Sequence, residues 1–314
     1  MGILHVIGMT IVSYLLMALL PRKHQQSYVM AWCLGYLTVN HLYRMYTNFG
    51  GFDLDISTYT MLQVCKLSAI AFCYKDGGMK DEDLIPDQKE RQVKTLPSII
   101  EMCSYTWYVQ NCALGVFFEF SDYKSFIERK GRYAQVSSPI LPSLITLLKA
   151  IACTAFFLIG SQYYWVEFCF TSEFGQISFL NRVWYFYVAM SLKKFFYYGP
   201  FSFTTGAIQA SGLGFSSNGK WDTVMGVYIW EVETADSVMT MLRAWNHQVH
   251  LWLKFYIQFR IVEKGKSPTT LQTIIVFVVS AFWHGFYPSY YVMFTVAAIL
   301  SEVSKDIFRA RVLF

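Results

Sequence analysis

The chain has 314 residues, of which 54% are hydrophobic, 18% are aromatic and only 15% are charged. Soluble domains carry about 25% charged residues, so this composition excludes a disordered chain and disfavours an ordinary soluble domain. The net charge of +5 is small for this length, and no run of lysines or arginines indicates nucleic-acid binding. We therefore expect a protein that crosses a membrane several times.

Apolar stretches long enough to cross a lipid bilayer recur along the chain, since about 20 mostly apolar residues suffice. Four stretches contain no charged residue: 1–21, 24–43, 195–219 and 267–301. Four weaker candidates each contain at least one charged residue: 57–74, 98–118, 140–166 and 177–198. Because backbone polar groups in lipid must bond internally, these segments are expected to be helices.

These stretches predict an all-α, multi-pass membrane protein with about eight embedded helices. Residues 267–301 are too long for one straight span, and Pro288 should break them into two helices. Eleven charged residues lie between Lys75 and Lys94, beside the turn-forming pair Gly77-Gly78. We therefore expect one membrane-embedded domain over residues 1–314, with an aqueous loop at about residues 75–97.

His284 is the polar residue whose position in the sequence is hardest to explain by packing. It lies in an uncharged, helix-length stretch between Trp283 and Gly285, about one turn before Pro288. Ionisable groups inside a membrane are costly and point to function. Gly285 and Pro288 favour a close backbone approach and a broken helix, as in the lining of a cavity. The alternative is a histidine that only hydrogen-bonds a neighbouring helix.

Residues 236–262 have the pattern of one amphipathic helix. An aromatic-rich apolar face recurs at helical spacing: Trp245, Val249, Trp252, Tyr256 and Phe259. A polar stripe lies beside it: Arg243, Asn246, His250 and Lys254. Such a helix suits the wall of a wet tunnel, but it equally suits a simple interfacial helix in which Asn246 only caps or bridges.

Two other patterns carry little functional signal. His247 and His250 have a spacing that fits a metal ion, but Gln248 replaces the glutamate of a zinc-protease motif and no carboxylate completes a site. We therefore predict no metal. Asp53 and Asp55 resemble a pair of catalytic carboxylates, but they follow two glycines, so a helix start capped near Asp55 or Ser57 is favoured.

Several stretches in this order resemble the membrane-bound O-acyltransferase (MBOAT) family, in its lysophospholipid acyltransferase branch. They are residues 41–46, 51–56, 96–123, 211–215 and the pair 244–246 with 283–288. The FYxDWWN signature of the sterol and diacylglycerol acyltransferase branch is not present around Trp245. Val116 departs from the proline that the family places after the glycine at Gly115. Family members are longer, so terminal helices of the family fold are expected to be missing from this chain.

The resemblance implies that His284 is the catalytic base and that Asn246 is its partner. It also implies an internal tunnel, an endoplasmic-reticulum membrane location, and two substrates, acyl-CoA and a lysophospholipid. Acyl-CoA is a co-substrate, and no further cofactor is expected. We expect Trp245, Trp252 and Trp283 to line the tunnel.

The chemistry of acyl transfer agrees with these roles. A base must accept the hydroxyl proton, and apolar burial keeps an imidazole such as His284 neutral and able to do so. The Asn246 amide would donate to the oxyanion or orient the acceptor hydroxyl. Lys254 and Arg260 are candidates, on position alone, for the CoA phosphates. We expect direct attack without an acyl-enzyme. The alternatives are a transporter or channel, or a family member that acts on a sterol, diacylglycerol or peptide.

Overall fold

A computed structural model of the chain describes residues 2–51, 55–111 and 115–312. All regular secondary structure in these ranges is helical. In chain order, the α-helices are α1 (Gly2–Leu19), α2 (Gln25–Thr47), α3 (Ile56–Asp76), α4 (Pro86–Arg91), α5 (Ile99–Thr106), α6 (Phe120–Ile127), α7 (Ile140–Gly160), α8 (Ser172–Gln176), α9 (Phe179–Ala210), α10 (Ile229–Glu233), α11 (Val238–Ala244), α12 (His247–Leu253), α13 (Phe259–Ile261), α14 (Thr270–His284) and α15 (Pro288–Val312). The all-α prediction is therefore confirmed for the described part of the chain.

Three helices, α1, α3 and α7, have the length and apolar composition needed to cross a membrane, and α14 is apolar but shorter. Residues 177–219, predicted as two spans, contain one 32-residue helix, α9, which runs through Pro200. At about 1.5 Å per residue this helix is roughly 48 Å long, so one helix replaces the two that were predicted.

The predicted span at residues 98–118 is wrong, because helix α5 has only 8 residues and ends at Thr106. Two side chains of α3 donate to carbonyls in the last turn of α5. Gln63 Nε2 lies 3.0 Å from the Thr106 oxygen, and the buried Lys66 Nζ lies 2.9 Å from the Tyr105 oxygen. These carbonyls are thus satisfied without a further helical turn.

Helix α3 lies at the centre of the larger core, with 14 of its 21 residues buried. Helices α1, α2, α5 and α12 pack around it. Helices α7 and α9 pack along each other as an antiparallel pair. A small residue allows this close contact, because a Cβ on Gly199 would lie 2.3 Å from Thr154 Oγ1.

The charged segment at residues 75–97 folds back against the end of α3. Arg22 holds it there: its Nε donates to the Tyr74 oxygen at 2.6 Å and its Nη2 donates to the Val93 oxygen at 2.8 Å. Helix α4 lies within this segment. The connection between α1 and α2 thus fixes the predicted aqueous loop on the protein.

Two helix breaks position the candidate site. The break predicted at Pro288 is confirmed, since α14 ends at His284 and α15 begins at Pro288. The single helix predicted over residues 236–262 is wrong, because the chain leaves helical geometry at Trp245 and Asn246 and a π-helical turn follows α12 at Lys254–Gln258. Asn246 adopts a left-handed conformation, which interrupts a right-handed helix.

Candidate functional site

His284 is the last residue of α14, and one of its ring nitrogens is already engaged. Its Nδ1 lies 2.7 Å from the Ser280 carbonyl oxygen, one helical turn earlier. Because a carbonyl oxygen only accepts hydrogen bonds, Nδ1 must carry the hydrogen. In the neutral ring the lone pair is therefore on Nε2, which makes no hydrogen bond to the described residues. His284 thus has the tautomer that a general base acting through Nε2 requires.

Aromatic rings surround the half-buried His284 imidazole. Its centroid lies 4.7 Å from that of Trp283, which is perpendicular to it. The rings of Tyr290 and Phe294, both from α15, have centroids at 5.8 Å and 4.9 Å. These contacts exclude water from much of the ring, and they place α15 beside the end of α14.

His41 of α2 is a functional candidate to which the sequence interpretation gave no role. Its Nε2 lies 3.1 Å from the Trp283 carbonyl oxygen, and its side chain is buried. The ring also meets Phe286 edge-on at 6.3 Å. A signal was present in the sequence, because His41 is a second histidine within an uncharged stretch and opens the first stretch that resembles the family.

Asn246 lies between α11 and α12 with φ 41° and ψ 54°. Its carbonyl oxygen accepts from the backbone N–H groups of Val249 and His250 at 3.0 and 3.1 Å, so the residue occupies the N-cap position of α12. Its side chain, however, makes no capping hydrogen bond. Asn246 therefore caps α12 through its backbone alone, and its carboxamide has no hydrogen-bond partner among the described residues.

The segments that carry Asn246 and His284 lie side by side in the fold. Helix α11, which leads to Asn246, packs against α15, which follows His284. Beyond Asn246, the Trp252 ring lies 6.2 Å from that of Trp283, the residue before His284. Residues 38 positions apart in sequence thus belong to neighbouring elements.

Two of the three tryptophans predicted to line a tunnel are firmly attached to α3. Trp252 and Trp283 are buried, and their indole N–H groups donate to Ser68 Oγ at 3.0 Å and to the Met61 carbonyl oxygen at 2.9 Å. Buried indoles usually find such partners. Trp252 and Trp283 therefore connect the two site segments to the central helix.

Trp245, the third of these tryptophans, packs instead against α9. Its ring centroid lies 5.7 Å from those of Tyr197 and Tyr198 and 6.4 Å from that of Phe201. It is half-buried. This contact anchors the non-helical link at Asn246 to the α7–α9 pair.

The two cations predicted to bind CoA phosphates have different surroundings. Arg260 donates from both terminal nitrogens to the two carboxylate oxygens of Asp76, each at 2.7 Å. Lys254 forms no ion pair with a carboxylate of the described residues, and its Nζ lies 5.3 Å and 5.4 Å from the ring centroids of Phe255 and Phe259. Lys254 is thus the more available of the two.

The remaining predicted polar motifs have structural partners. His247 Nδ1 lies 2.8 Å from the Arg243 carbonyl oxygen, and the described residues contain no group of three metal-ligating side chains. Asp55 caps α3 by accepting from the Ser57 backbone N–H at 3.0 Å. The favoured interpretation of Asp55 as a helix start is therefore confirmed, and Asp53 lies outside the described residues.

Comparison with known proteins adds a family match over most of the chain. The profile of the membrane-bound O-acyltransferase family matches residues 41–313. This range includes His41, Asn246 and His284, so all three candidate residues lie within it.

Curated relatives from three kingdoms are similar to this chain. "Lysophospholipid acyltransferase" of Saccharomyces cerevisiae is 26% identical over 94% of this chain and 52% of the relative. "Membrane-bound glycerophospholipid O-acyltransferase 1" of Mus musculus is 32% identical over 86% of this chain and 58% of the relative. "Lysophospholipid acyltransferase 2" of Arabidopsis thaliana is 32% identical over 82% and 58%. The chain therefore spans about half the length of the curated relatives it matches.

Proposed function

Because the chain belongs to the membrane-bound O-acyltransferase family, and to its lysophospholipid acyltransferase branch, we propose that it moves a fatty acyl group from acyl-CoA to the free hydroxyl of a lysophospholipid. The observation that carries the proposal is the state of His284. Its Nδ1 hydrogen is held by the Ser280 carbonyl, so the lone pair of the neutral ring is on Nε2.

In the proposed reaction, His284 Nε2 accepts the proton of the lysophospholipid hydroxyl as the oxygen attacks the thioester carbonyl. The tetrahedral intermediate then collapses, the carbon–sulfur bond breaks, and the imidazolium returns the proton to the departing CoA sulfur. No acyl-enzyme is formed. The Asn246 carboxamide donates to the oxyanion, or orients the acceptor hydroxyl, because it is a neutral donor without another described partner.

The proposal places this chemistry in an internal tunnel among the helices embedded in the endoplasmic-reticulum membrane. Trp245, Trp252 and Trp283 would form part of its wall, where aromatic surroundings exclude water from the reacting groups. Seven described helices with at least 15 residues support a multi-pass arrangement: α1, α2, α3, α7, α9, α14 and α15.

Lys254 and Arg260 are proposed to contact the phosphates of CoA. The two differ in the support they have. Lys254 is half-buried without a described ion pair, which leaves its charge available to an anion. Arg260 would have to share its guanidinium with Asp76.

The experiment that tests the proposal is an acyl-transfer assay with labelled acyl-CoA and a panel of lysophospholipids. We compare the wild-type chain with His284→Gln, and use His24→Gln as the matched control because His24 is exposed. Loss of the base should lower kcat by about 10²- to 10⁴-fold, while the control retains wild-type activity. Wild-type turnover in His284→Gln contradicts the proposal, and sterol, diacylglycerol and peptide acceptors in the same assay test the alternative substrates.

A further inference from the structure

His41 contacts the chain on both sides of His284. Its Nε2 donates to the Trp283 carbonyl oxygen at 3.1 Å, across 242 residues of sequence. On the other side, its ring faces Gly285 so closely that a Cβ there would lie 3.3 Å from Nδ1. His41 itself is buried in α2, with 6% of its surface exposed. A side chain of a different helix therefore fixes the two neighbours of the proposed base.

The Trp283 carbonyl needs such a partner because α14 ends one residue later. The last four carbonyls of a helix have no N–H group from a following turn. The Gly285 N–H bonds to Ala281 and Phe282 instead, at 3.1 and 3.2 Å. Among the described residues, His41 is the donor to the Trp283 oxygen. The hydrogen bond from His41 thus replaces the backbone hydrogen bond that is lost where helix α14 ends.

The conformation of Gly285 also permits this contact. With φ 121° and ψ −165°, the residue is in a region that is essentially restricted to glycine. The missing side chain is what lets the His41 ring approach the backbone. Two features of the turn, its backbone geometry and its free space, are therefore matched to the His41 side chain.

The segment after His41 makes a second attachment to the same turn. The Gly50 backbone N–H donates to the Tyr287 hydroxyl at 2.9 Å, and the rings of Phe49 and Tyr287 are 5.3 Å apart. This attachment lies three residues beyond His284. It would keep α2 and the turn together if the His41 hydrogen bond were removed, so a variant at His41 is expected to perturb orientation more than folding.

We propose that His41 is a positioning residue: by donating to the Trp283 carbonyl and packing on Gly285, it fixes the direction in which His284 Nε2 points. This inference rests on the proposed acyl transfer at His284. His41 does not touch the reacting atoms in this scheme. Small misplacements of a base are costly, since about 1 Å can lower a rate by about 10²-fold.

Three variants test the hydrogen bond directly. His41→Gln keeps an amide donor at about the reach of Nε2, His41→Asn carries the same amide one carbon shorter, and His41→Phe keeps a ring but has no donor. His24→Asn, at the start of the same helix, is the matched control. We expect kcat to fall about 10- to 100-fold in the Asn and Phe variants, with both KM values within about threefold of wild type and with kcat largely retained in His41→Gln.

The outcomes separate positioning from general stability. A lowered kcat in His41→Asn with retention in His41→Gln supports the proposal, because both variants lose the imidazole and differ by one methylene. Wild-type kcat in His41→Asn overturns it, as does an equal loss in Gln and Asn. A raised KM with unchanged kcat also overturns it, since that pattern reports substrate binding.

A second measurement does not depend on activity. Diethyl pyrocarbonate acylates an unprotonated imidazole nitrogen, and mass spectrometry follows its rate at the peptide that contains His284. We expect this rate to change at least about threefold in His41→Asn and to stay near the wild-type rate in His41→Gln and His24→Asn. Equal rates in all four proteins overturn the positioning role. If the wild-type chain transfers no acyl group, the proposed function fails, yet the labelling comparison still decides whether His41 orients His284.

Discussion

Two regions of the described chain differ in how their polar side chains find partners. One is the ion-paired cluster, formed by Asp76, Arg91, Glu119, Tyr256 and Arg260. There, Arg260 pairs with Asp76 at 2.7 Å, Arg91 with Glu119 at 3.2 Å, and the Tyr256 hydroxyl donates to Glu119 at 2.5 Å. In the proposed site, by contrast, His284 Nε2 at the end of α14 and the Asn246 carboxamide at the start of α12 have no hydrogen-bond partner among the described residues.

The contrast indicates what each region does. Buried charges are tolerated when they are paired, and paired charges from different elements hold those elements together. The ion-paired cluster joins α3, α4, the residue before α6, and the π-helical turn with α13. The polar groups of the proposed site are half-buried, so they remain available to a substrate beside a well-anchored backbone. Polar atoms of the proposed site are free while the backbone around them is fixed.

The strongest test of this contrast after His284 is the carboxamide of Asn246. Asn246→Gly keeps the left-handed backbone, because glycine adopts φ 41° without strain, but it removes the amide. We expect kcat to fall about 10²- to 10³-fold, the usual loss for an oxyanion donor, with little change in thermal stability. The assay is acyl transfer, with thermal unfolding measured in the same detergent.

Asn246→Ala provides the comparison for this variant. It removes the same amide and adds about 1 kcal/mol of backbone strain, since alanine disfavours the left-handed region. Both variants should lose activity equally, and only the alanine variant should lose stability. Retention of wild-type kcat in Asn246→Gly would show that the free carboxamide has no role in the reaction.

A change in the ion-paired cluster should lower the stability of the protein rather than kcat. Arg260→Ala leaves the carboxylate of Asp76 unpaired, and that side chain is only 2% exposed. Removing one partner of a buried pair costs about 3 kcal/mol, which chemical denaturation in detergent would measure. The double variant Asp76→Leu with Arg260→Met should recover most of this loss, because no charge is left buried.

Lys254→Gln sharpens the same comparison. Since Lys254 has no described ion pair, its loss should leave stability unchanged and raise the KM for acyl-CoA if it contacts the phosphates. An unchanged KM in the Asp76→Leu/Arg260→Met variant would assign Arg260 to structure alone. A destabilised Lys254→Gln would contradict the distinction between the two cations.

A pH dependence of stability is expected at Glu119, which lies outside the candidate spans. Burial raises the pKa of Glu119 to about 7 from its ordinary 4.5, against the opposing effect of Arg91. A carboxyl with a raised folded-state pKa stabilises the fold fully below its unfolded pKa and loses this contribution as the pH rises through about 7. Thermal unfolding between about pH 5 and pH 8 should therefore show falling stability.

Glu119→Gln should flatten that pH profile, because glutamine has no proton to lose. Glu263→Gln, at a side chain that is 74% exposed, serves as the control and should leave the slope intact. A slope that persists in Glu119→Gln would assign the pH dependence to another group.

The sequence predicted the helical class better than it predicted the helix lengths. Hydrophobic runs located α1, α3 and α7, and Pro288 located the break between α14 and α15. The hydrophobic pattern gave wrong helix boundaries at α5, where α3 side chains satisfy the last carbonyls. It also failed at Asn246, where helical periodicity continues although the backbone leaves helical geometry. Periodicity shows which residues share a helix face. It does not show where a side chain from another helix replaces a backbone hydrogen bond.

The sequence by itself determined that the chain is helical and apolar, and it singled out His284 and Asn246, because polar residues in uncharged stretches are costly wherever they lie. Only the tertiary structure decided which ring nitrogen of His284 is free, that the Asn246 side chain does not cap a helix, and that His41 holds the residues on either side of His284. These properties depend on hydrogen bonds and backbone conformations that form only when segments distant in the sequence come into contact.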